Sequence, residues 1–410
     1  MSDGDLSTLD LVCRVMDSRL RPLDYALLLH FRQPPGAEQL RRGALSARNL
    51  YPLTGSSVEG RRWRRLEAPE HGLAIKQAES GDAPGAIREF LRVPFRLDRE
   101  PPLRQLLIQG KQGHACMVTR VHHVAGDLLS ALMWVRHQLR VASGRDGFVE
   151  HAASHEHIAL CPPGLRASKS PSAFRGRCDP IWTRKAAPSA ERSWSTLRIA
   201  ASEFAGLSRN REGFTYNDLL LTCALDTLDW WNGRHGANGR KVGAWLPMNI
   251  REAAFTGFGN GTSRIRVYRR FDEHDSLRSK CRQLRSQIDW SREHGEWAVP
   301  KRHILTRLPF AASKLFLKAF LNRPWADMGS VALTHVERWP GQADEEFADV
   351  LGVEVIGALH MRHALMMAAV THAGVTWTTL TYDPALLGED DVASIGQRFE
   401  HSLSTAARDL

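Results

Sequence analysis

The chain has 410 residues, is 43% hydrophobic and 24% charged, and has a formal net charge of +10. It is longer than one hydrophobic core usually spans, so we expect two domains, and its composition is that of a soluble globular protein. No uncharged apolar run reaches about 18 residues, so no transmembrane segment is predicted. The acidic start lacks the basic and apolar regions of a signal peptide, which predicts a cytoplasmic protein.

Positive charge is concentrated in three arginine-rich stretches, 41–65, 264–285 and 301–323. Nucleic acid, anionic lipid, CoA phosphates and an acidic carrier protein would all be attracted by such a surface, so charge alone does not choose among them. No nucleic-acid-binding motif accompanies it, and no nucleic-acid partner is expected. The six cysteines have no Cys-x-x-Cys spacing, which predicts free thiols and not a zinc site or a disulfide framework.

Hydrophobic periodicity and turn residues predict the first elements of the chain. They are a helix over 9–16, a strand over 24–31, a helix over 37–49, a turn over 51–55 and a polar strand over 61–65. Ser7 is a candidate N-cap for the first helix.

A strand, a turn and a helix then meet at two adjacent histidines. Residues 115–121 are short, apolar and β-branched, which indicates a buried strand, and apolar residues recur at helical spacing from Leu128. Asp127 occupies the N-cap position, where its carboxylate can accept backbone N–H groups of the first helical turn. His122 and His123 end the strand, and because side chains alternate they point to opposite sides. Only one of them can therefore be the working base.

The pattern His-His-x-x-x-Asp over 122–127 resembles the active-site motif of the CoA-dependent acyltransferase superfamily. This superfamily includes chloramphenicol acetyltransferase, nonribosomal peptide condensation domains and wax ester synthases. The family motif ends Asp-Gly, whereas here Leu128 follows Asp127 and the glycine is displaced to Gly126. The leucine adds a side chain at the start of the helix, so we expect a narrower approach for the acyl donor.

Further segments on both sides of the motif are similar to the same family. Upstream, Val93-Pro-Phe-Arg-Leu and Pro101-Pro-Leu-Arg-Gln-Leu-Leu resemble its approach to the histidine strand. Downstream, a strand is predicted over 194–200, and Thr215-Tyr-Asn-Asp caps a helix with a wide apolar face. That helix also resembles a scaffold helix of the family.

A strand from Val242 ends in Pro247-Met-Asn-Ile-Arg, where a proline turn is predicted. The segment is close to the family's Pro-[Val/Met]-Asn-x-Arg sequence. In the family that arginine pairs with the aspartate of the histidine motif. The resemblance therefore implies that Arg251 contacts Asp127, with Asn249 in the same structural set.

The remaining elements are a strand over 264–268, helices over 274–290 and 310–321, a strand over 375–382 and a C-terminal amphipathic helix. The glycines of 257–261 do not form a dinucleotide loop, because a strand and not a helix follows them. His360 and His363 have helical metal-ligand spacing, and His151, His155 and His157 form a second group. Neither matches a known zinc site, so no metal is assigned, and a metalloenzyme is kept only as a minor alternative.

The resemblance implies an α/β fold of two similar lobes, each a mixed sheet flanked by helices, with an active-site channel between them. The segment 151–190 is rich in proline, serine and lysine and is the best candidate for a linker. The predicted division is therefore an N-terminal lobe over 1–150 and a C-terminal lobe over 191–410.

The implied reaction moves an acyl group from a thioester to a hydroxyl or amine acceptor. The donor would be acyl-CoA or a phosphopantetheinyl carrier protein, with no tightly bound cofactor. His123 would be the general base, and its ordinary pKa near 6.5 suits both taking and returning a proton. The residues expected to support it are His122, Asp127, Arg251 and Asn249. Leu128 keeps open an alternative, a non-catalytic homologue that binds an acyl carrier or a partner protein.

Overall fold

The computed structural model describes residues 4–67, 75–79, 82–110, 114–147, 178–204, 207, 212–251, 257–272, 274–297, 308–321, 330–339, 345–360 and 363–409. The helices in these ranges are α1 (Thr8–Met16), α2 (Ala37–Leu50), α3 (Ala83–Arg92), α4 (Leu128–Ala142), α5 (Tyr216–Arg234), α6 (Leu277–Glu293), α7 (Phe310–Leu321) and α8 (Glu389–Asp409). The strands are β1 (Asp24–Phe31), β2 (Ser56–Glu59), β3 (Arg62–Arg65), β4 (Ile75–Glu79), β5 (Leu103–Gln109), β6 (Ala115–His122), β7 (Ser193–Ala200), β8 (Gly243–Asn249), β9 (Thr262–Tyr268), β10 (Val331–Val336), β11 (Val350–Ile356), β12 (Leu365–His372) and β13 (Val375–Tyr382).

Two mixed sheets form the framework of the molecule. The first has five strands in the order β11-β1-β6-β5-β4, and only β4 and β5 run parallel. The second has six strands in the order β7-β13-β12-β10-β8-β9, with β10 parallel to both of its neighbours. Helices pack on both sheets, which confirms the predicted α/β fold of two similar lobes.

The first sheet is buried on both faces, because apolar side chains on β1 alternate between two layers. Leu27 and Leu29 point into the core that includes α2 and α4. Leu28 packs on the other face with Ile87 and Leu91 of α3. Packing therefore fills the middle of the sheet, and functional groups can reach open space only at the ends of its strands.

The second sheet packs against α5, α6 and α8. Thr215 caps α5 as predicted, and its hydroxyl and backbone N–H both donate to the carboxylate of Asp218. Arg285 of α6 donates to the same buried carboxylate. Leu219 of α5 and Phe399 of α8 lie in the core beneath the sheet, so α5 is a scaffold helix here.

Strand β11 comes from the later part of the chain and yet joins the first sheet. It pairs antiparallel with β1, from Ala26 opposite Ile356 to Phe31 opposite Val350. The region assigned to the C-terminal lobe therefore supplies one strand of the first sheet. The division at 1–150 and 191–410 otherwise stays a prediction, since most of the segment 151–190 lies outside the described residues.

The predicted elements recur with small shifts, and one prediction was wrong in its details. Strand β8 does not end in a turn at Pro247 but continues to Asn249, with Pro247 opposite Arg264 of β9. The prediction failed because proline was taken as the end of the strand, although antiparallel pairing continues on both sides of it.

Among the described helices, none is long and apolar enough to cross a membrane.

Candidate active site

The histidine motif forms the turn between β6 and α4, as predicted. Strand β6 ends at His122, and α4 begins at Leu128. The carboxylate of Asp127 accepts the backbone N–H of Ser130 at 3.2 Å, so Asp127 is the N-cap of α4. The hydroxyl of Tyr25 donates to the Asp127 carbonyl at 2.6 Å. Strand β1 therefore fixes the turn from the side.

His122 is held inside the first lobe. Only 2% of its surface is exposed, and its Nδ1 accepts the backbone N–H of Val124 at 3.0 Å. Its Nε2 lies 3.3 Å from the Asp17 carboxylate. Burial pushes the pKa of Asp17 up, but the hydrogen bond and charge of His122 hold it below its usual range. His122 is thus positioned to brace the turn.

His123 keeps part of its surface accessible, unlike His122. Its ring lies 4.7 Å from the ring of Tyr25, and its carbonyl accepts Nδ2–H of Asn260 at 2.6 Å. Burial, followed by the neighbouring His122, lowers the pKa of His123 to about 4. The expectation of an ordinary pKa was therefore wrong, because it ignored the cost of burying an imidazolium. At neutral pH the imidazole is neutral and able to accept a proton.

Arg251 and Asp127 form the ion pair that the resemblance implied. Nη2 of Arg251 lies 2.6 Å from Oδ1 of Asp127, and both side chains are buried. Oδ2 of Asp127 accepts the hydroxyl of Thr262 at 2.6 Å and the N–H of Gly261 at 2.9 Å. Burial raises the pKa of Asp127, but Arg251 and these hydrogen bonds outweigh it and lower the pKa. Asp127 therefore joins the histidine turn of the first lobe both to Arg251, which follows β8, and to the start of β9 in the second lobe.

Asn249 orients Arg251, since its Oδ1 accepts the backbone N–H of Arg251 at 3.1 Å and Nη1–H at 3.4 Å.

The loop before β9 passes very close to the side chain of Arg251. A Cβ on Gly261 would lie 2.4 Å from Cγ of Arg251, so only glycine fits there. Gly126 is also tight, because a Cβ would lie 2.9 Å from the ring of Phe258. Leu128 is partly buried and packs against the core of the first lobe.

A buried charge cluster behind the motif was not predicted. The Asp24 carboxylate receives hydrogen bonds from Arg120 at 2.8 and 2.9 Å and from Arg192 at 2.6 Å. Burial raises the pKa of Asp24, but Arg192 and Arg120 more than offset this and hold it well below its usual range. Arg192 also donates to the Gly357 carbonyl. Asp24 lies opposite His122 in the sheet, so the cluster anchors the end of the histidine strand.

Four residues from both lobes, His123, Cys13, Arg264 and His360, lie near one another, and we call the region that they share the central channel. All four keep solvent-accessible surface, although protein surrounds them closely enough to shift their pKa values by burial. Burial and Asp10 raise the pKa of the Cys13 thiol. Burial, His363 and His123 lower the pKa of His360 well below its ordinary value. Sequence reasoning missed Cys13 and Arg264, since neither belongs to a motif.

The histidines with metal-ligand spacing do not form a helical metal site. His360 and His363 lie in an irregular segment, with ring centres 5.6 Å apart. The group of His151, His155 and His157 lies outside the described residues. Within the ranges that the structure describes, no cluster of three or more ligating side chains is present.

A separate cavity of about 360 Å³ lies near the opposite end of β6 from the histidines. His30, Cys116, Arg198 and Trp377 are among its lining residues. Six residues of extended strand separate Cys116 from His122, about 20 Å. This cavity is therefore not part of the channel at His123.

The fold is that of condensation domains. No protein-family model matches the chain, and no curated protein sequence is similar to it. The first condensation domain of the calcium-dependent antibiotic synthetase, in complex with a substrate analogue, superposes with a TM-score of 0.75 at 14% identity, covering 100% of this chain and 97% of that one. The epimerization domain from the third module of tyrocidine synthetase B superposes at 0.65 and 10% identity, covering 100% and 98%.

A third similar structure is the complex of the X-domain and OxyB from teicoplanin biosynthesis, with a TM-score of 0.60 and 16% identity, covering 100% of this chain and 94% of that one. Condensation domains belong to the CoA-dependent acyltransferase superfamily that the histidine motif resembles. At these low identities the likeness shows a shared fold. What the chain does has to be inferred from its own residues.

Proposed function

We propose that the chain is an acyltransferase that moves an acyl group from a thioester to a hydroxyl or amine. His123 takes the proton of the acceptor as the acceptor attacks the thioester carbonyl. The tetrahedral intermediate then collapses, its C–S bond breaks, and His123 returns the proton to the departing thiolate. An ester or amide and a free thiol are the products.

The observation that supports this proposal most is the state of His123. Part of its surface is accessible, its carbonyl accepts Nδ2–H of Asn260 from the other lobe, and its lowered pKa of about 4 keeps the imidazole neutral at pH 7. General base catalysis by such a group is worth roughly 10²–10⁴-fold. Holding two substrates in one channel can contribute about 7–11 kcal/mol more.

The supporting residues have separate tasks in this proposal. His122 fixes the strand end through Val124 and Asp17, while Asp127 and Arg251 hold the turn against the second lobe. None of them contacts the reacting atoms. The donor is acyl-CoA or an acyl carrier protein, and the acceptor is a small alcohol or amine in the cytoplasm.

A second candidate is a non-catalytic condensation-like protein that binds an acyl carrier or another protein. Leu128 favours it, because the family has glycine after the aspartate, and the X-domain is recorded in complex with OxyB. The two functions predict different results with the same reagents. A non-catalytic protein would bind an acyl carrier without releasing its thiol.

The test is thiol release from a panel of acyl-CoA and acyl-pantetheine donors, each with amine and alcohol acceptors. Acceptor-dependent release by the wild type that disappears in the variant His123→Ala supports the acyltransferase. Equal rates for both proteins, or no release above background with any pair, would favour the binding protein.

A further inference from the structure

Arg264 is a cationic residue of the channel. It lies in β9, and its side chain is exposed. Surrounding protein and the nearby charge of Arg266 lower its pKa. Among the residues that the structure describes, no carboxylate forms an ion pair or hydrogen bond with it.

The carboxylates nearby already have other partners. Asp10 accepts hydrogen bonds from the backbone N–H of Ser7 and from Asn260. Asp127 is shared between Arg251 and the start of β9. Neither of these two carboxylates pairs with Arg264, so within the described part of the chain its guanidinium is open to an anion from a substrate.

The guanidinium also packs over a tryptophan ring. Its central carbon lies 4.1 Å from the ring centre of Trp245, a side chain only 5% exposed. Trp245 packs in turn against His360, with ring centres 5.6 Å apart. A planar guanidinium supported on one face presents its N–H fork sideways, which is the geometry that binds a carboxylate through two parallel hydrogen bonds.

The guanidinium of Arg264 lies close to the turn that carries His123. Thr262, two residues earlier on the same face of β9, donates to Asp127 beside the histidine turn. Two residues of strand span about 7 Å. His360 lies close enough to both His123 and Arg264 for each to lower its pKa. An anion on Arg264 would therefore belong to the part of a substrate near the thioester carbonyl, and not to the phosphate at the far end of a pantetheine arm.

Resting on the proposed function, we propose that Arg264 on Trp245 is a carboxylate-binding subsite, so that one of the two substrates carries a free carboxylate. That group is either on a small acceptor acid or at the far end of a short acyl chain. Both sources offer the same planar anion to the guanidinium fork. They differ in which substrate brings it into the channel.

Binding measurements by calorimetry distinguish these sources without requiring turnover. The donor arm compares succinyl-CoA with butyryl-CoA, which differ by the terminal carboxylate while sharing all the phosphates of CoA. The acceptor arm compares benzoate with its neutral isostere benzamide. In at least one arm we expect the acid to bind about ten-fold or more tightly than its neutral partner, as for a hydrogen-bonded charge pair.

Substitution of the arginine assigns that preference to the subsite. Arg264→Gln should bring the ratio of affinities close to one, and Arg264→Lys should retain part of it. Arg198→Gln is the matched control, because Arg198 also stacks on a tryptophan, 4.3 Å from the ring centre of Trp377, away from the channel. A ratio near one in both arms of the wild type would overturn the subsite, as would a preference that survives Arg264→Gln or is lost equally in Arg198→Gln.

The variant His123→Ala separates this inference from the proposed function. It should abolish transfer and keep the preference for the acid. A wild-type protein that shows the preference but transfers no acyl group would refute the acyltransferase and leave the subsite standing.

Discussion

Nε2 of His122 lies 3.3 Å from the Asp17 carboxylate, whereas the neighbouring His123 keeps part of its surface accessible. The two histidines therefore have different roles. We predict that His123→Ala lowers transfer by at least about 10²-fold with little change in unfolding temperature. His122→Ala should do the reverse, because it removes a buried anchor. Thermal unfolding and turnover of both variants check this, and more than a few per cent of wild-type turnover in His123→Ala would contradict it.

Asp127 and Arg251 should behave as a coupled pair. Removing either partner leaves a buried charge without its counter-ion, which typically costs about 3–5 kcal/mol. The double variant Asp127→Ala/Arg251→Ala should cost much less than the sum of the two single changes. Urea unfolding of the four proteins measures this difference, and additive losses would mean that the ion pair contributes nothing.

The pH dependence of transfer should reflect the burial of His123. Since its pKa is about 4, the base is neutral across the physiological range. We predict that kcat/KM stays flat from pH 7 to about pH 5 and falls only as the pH drops through about 4. An acidic limb centred between pH 6 and 7 would mean that His123 keeps an ordinary pKa.

Stability has to be followed at each pH as the control for that profile. A histidine whose folded pKa is below its unfolded value takes up a proton more readily when the chain unfolds. The folded state therefore loses stability as the pH falls from about 6.5 towards 4, by up to about 1.4 kcal/mol per pH unit for such a group. Circular dichroism at each pH shows whether a loss of activity is caused by unfolding.

The cluster around Asp24 should be essential for folding. Asp24→Ala would leave Arg120 and Arg192 buried without a counter-ion, and a loss of about 3–5 kcal/mol is expected. The matched control is Glu59→Ala, which removes the partner of Arg64 in a pair whose side chains are 61% and 63% exposed. That change should cost less than about 1 kcal/mol. Similar losses in both variants would show that burial of the cluster adds nothing.

Transfer should be direct, without an acyl-enzyme. Cys13 is the thiol in the channel, and burial and Asp10 raise its pKa, which keeps it protonated and a poor nucleophile. Cys116 and Cys223 are buried with raised pKa values, and Ser130 bonds the Gly259 carbonyl. Intact-protein mass spectrometry after incubation with donor alone should show no stoichiometric adduct. An adduct that passes its acyl group to the acceptor would overturn this mechanism.

The sequence predicted the elements whose local signals are strong. The apolar stretch at β1, the Ser7 cap of α1 and the Asp127 cap of α4 each depend on neighbouring residues, and all three occur in the structure. Strand β12 was not predicted, because alanine and methionine in Leu365–His372 have little preference for extended backbone. Only its place between β10 and β13 makes it a strand.

Residues of the candidate site could be predicted only where they belong to a sequence motif. The family resemblance was enough to pair Arg251 with Asp127, since both stand in motif positions. Asp24, Tyr25 and Arg264 could not be found in the same way. Their roles depend on contacts between residues far apart in the sequence, such as Asp24 and Arg192. No local sequence pattern predicts such contacts.

The late arrival of β11 has a consequence during synthesis on the ribosome. Strand β1 emerges more than 300 residues before its partner, and at translation rates of about 5–20 residues per second the gap lasts roughly 15–65 s. Throughout that interval the β1 edge has no β11 to pair with and is open to other nascent chains. Slow translation or a missing C-terminal portion should therefore favour aggregation, and chaperones that cover strand edges should raise the yield of this protein more than that of one whose sheet is completed in sequence order.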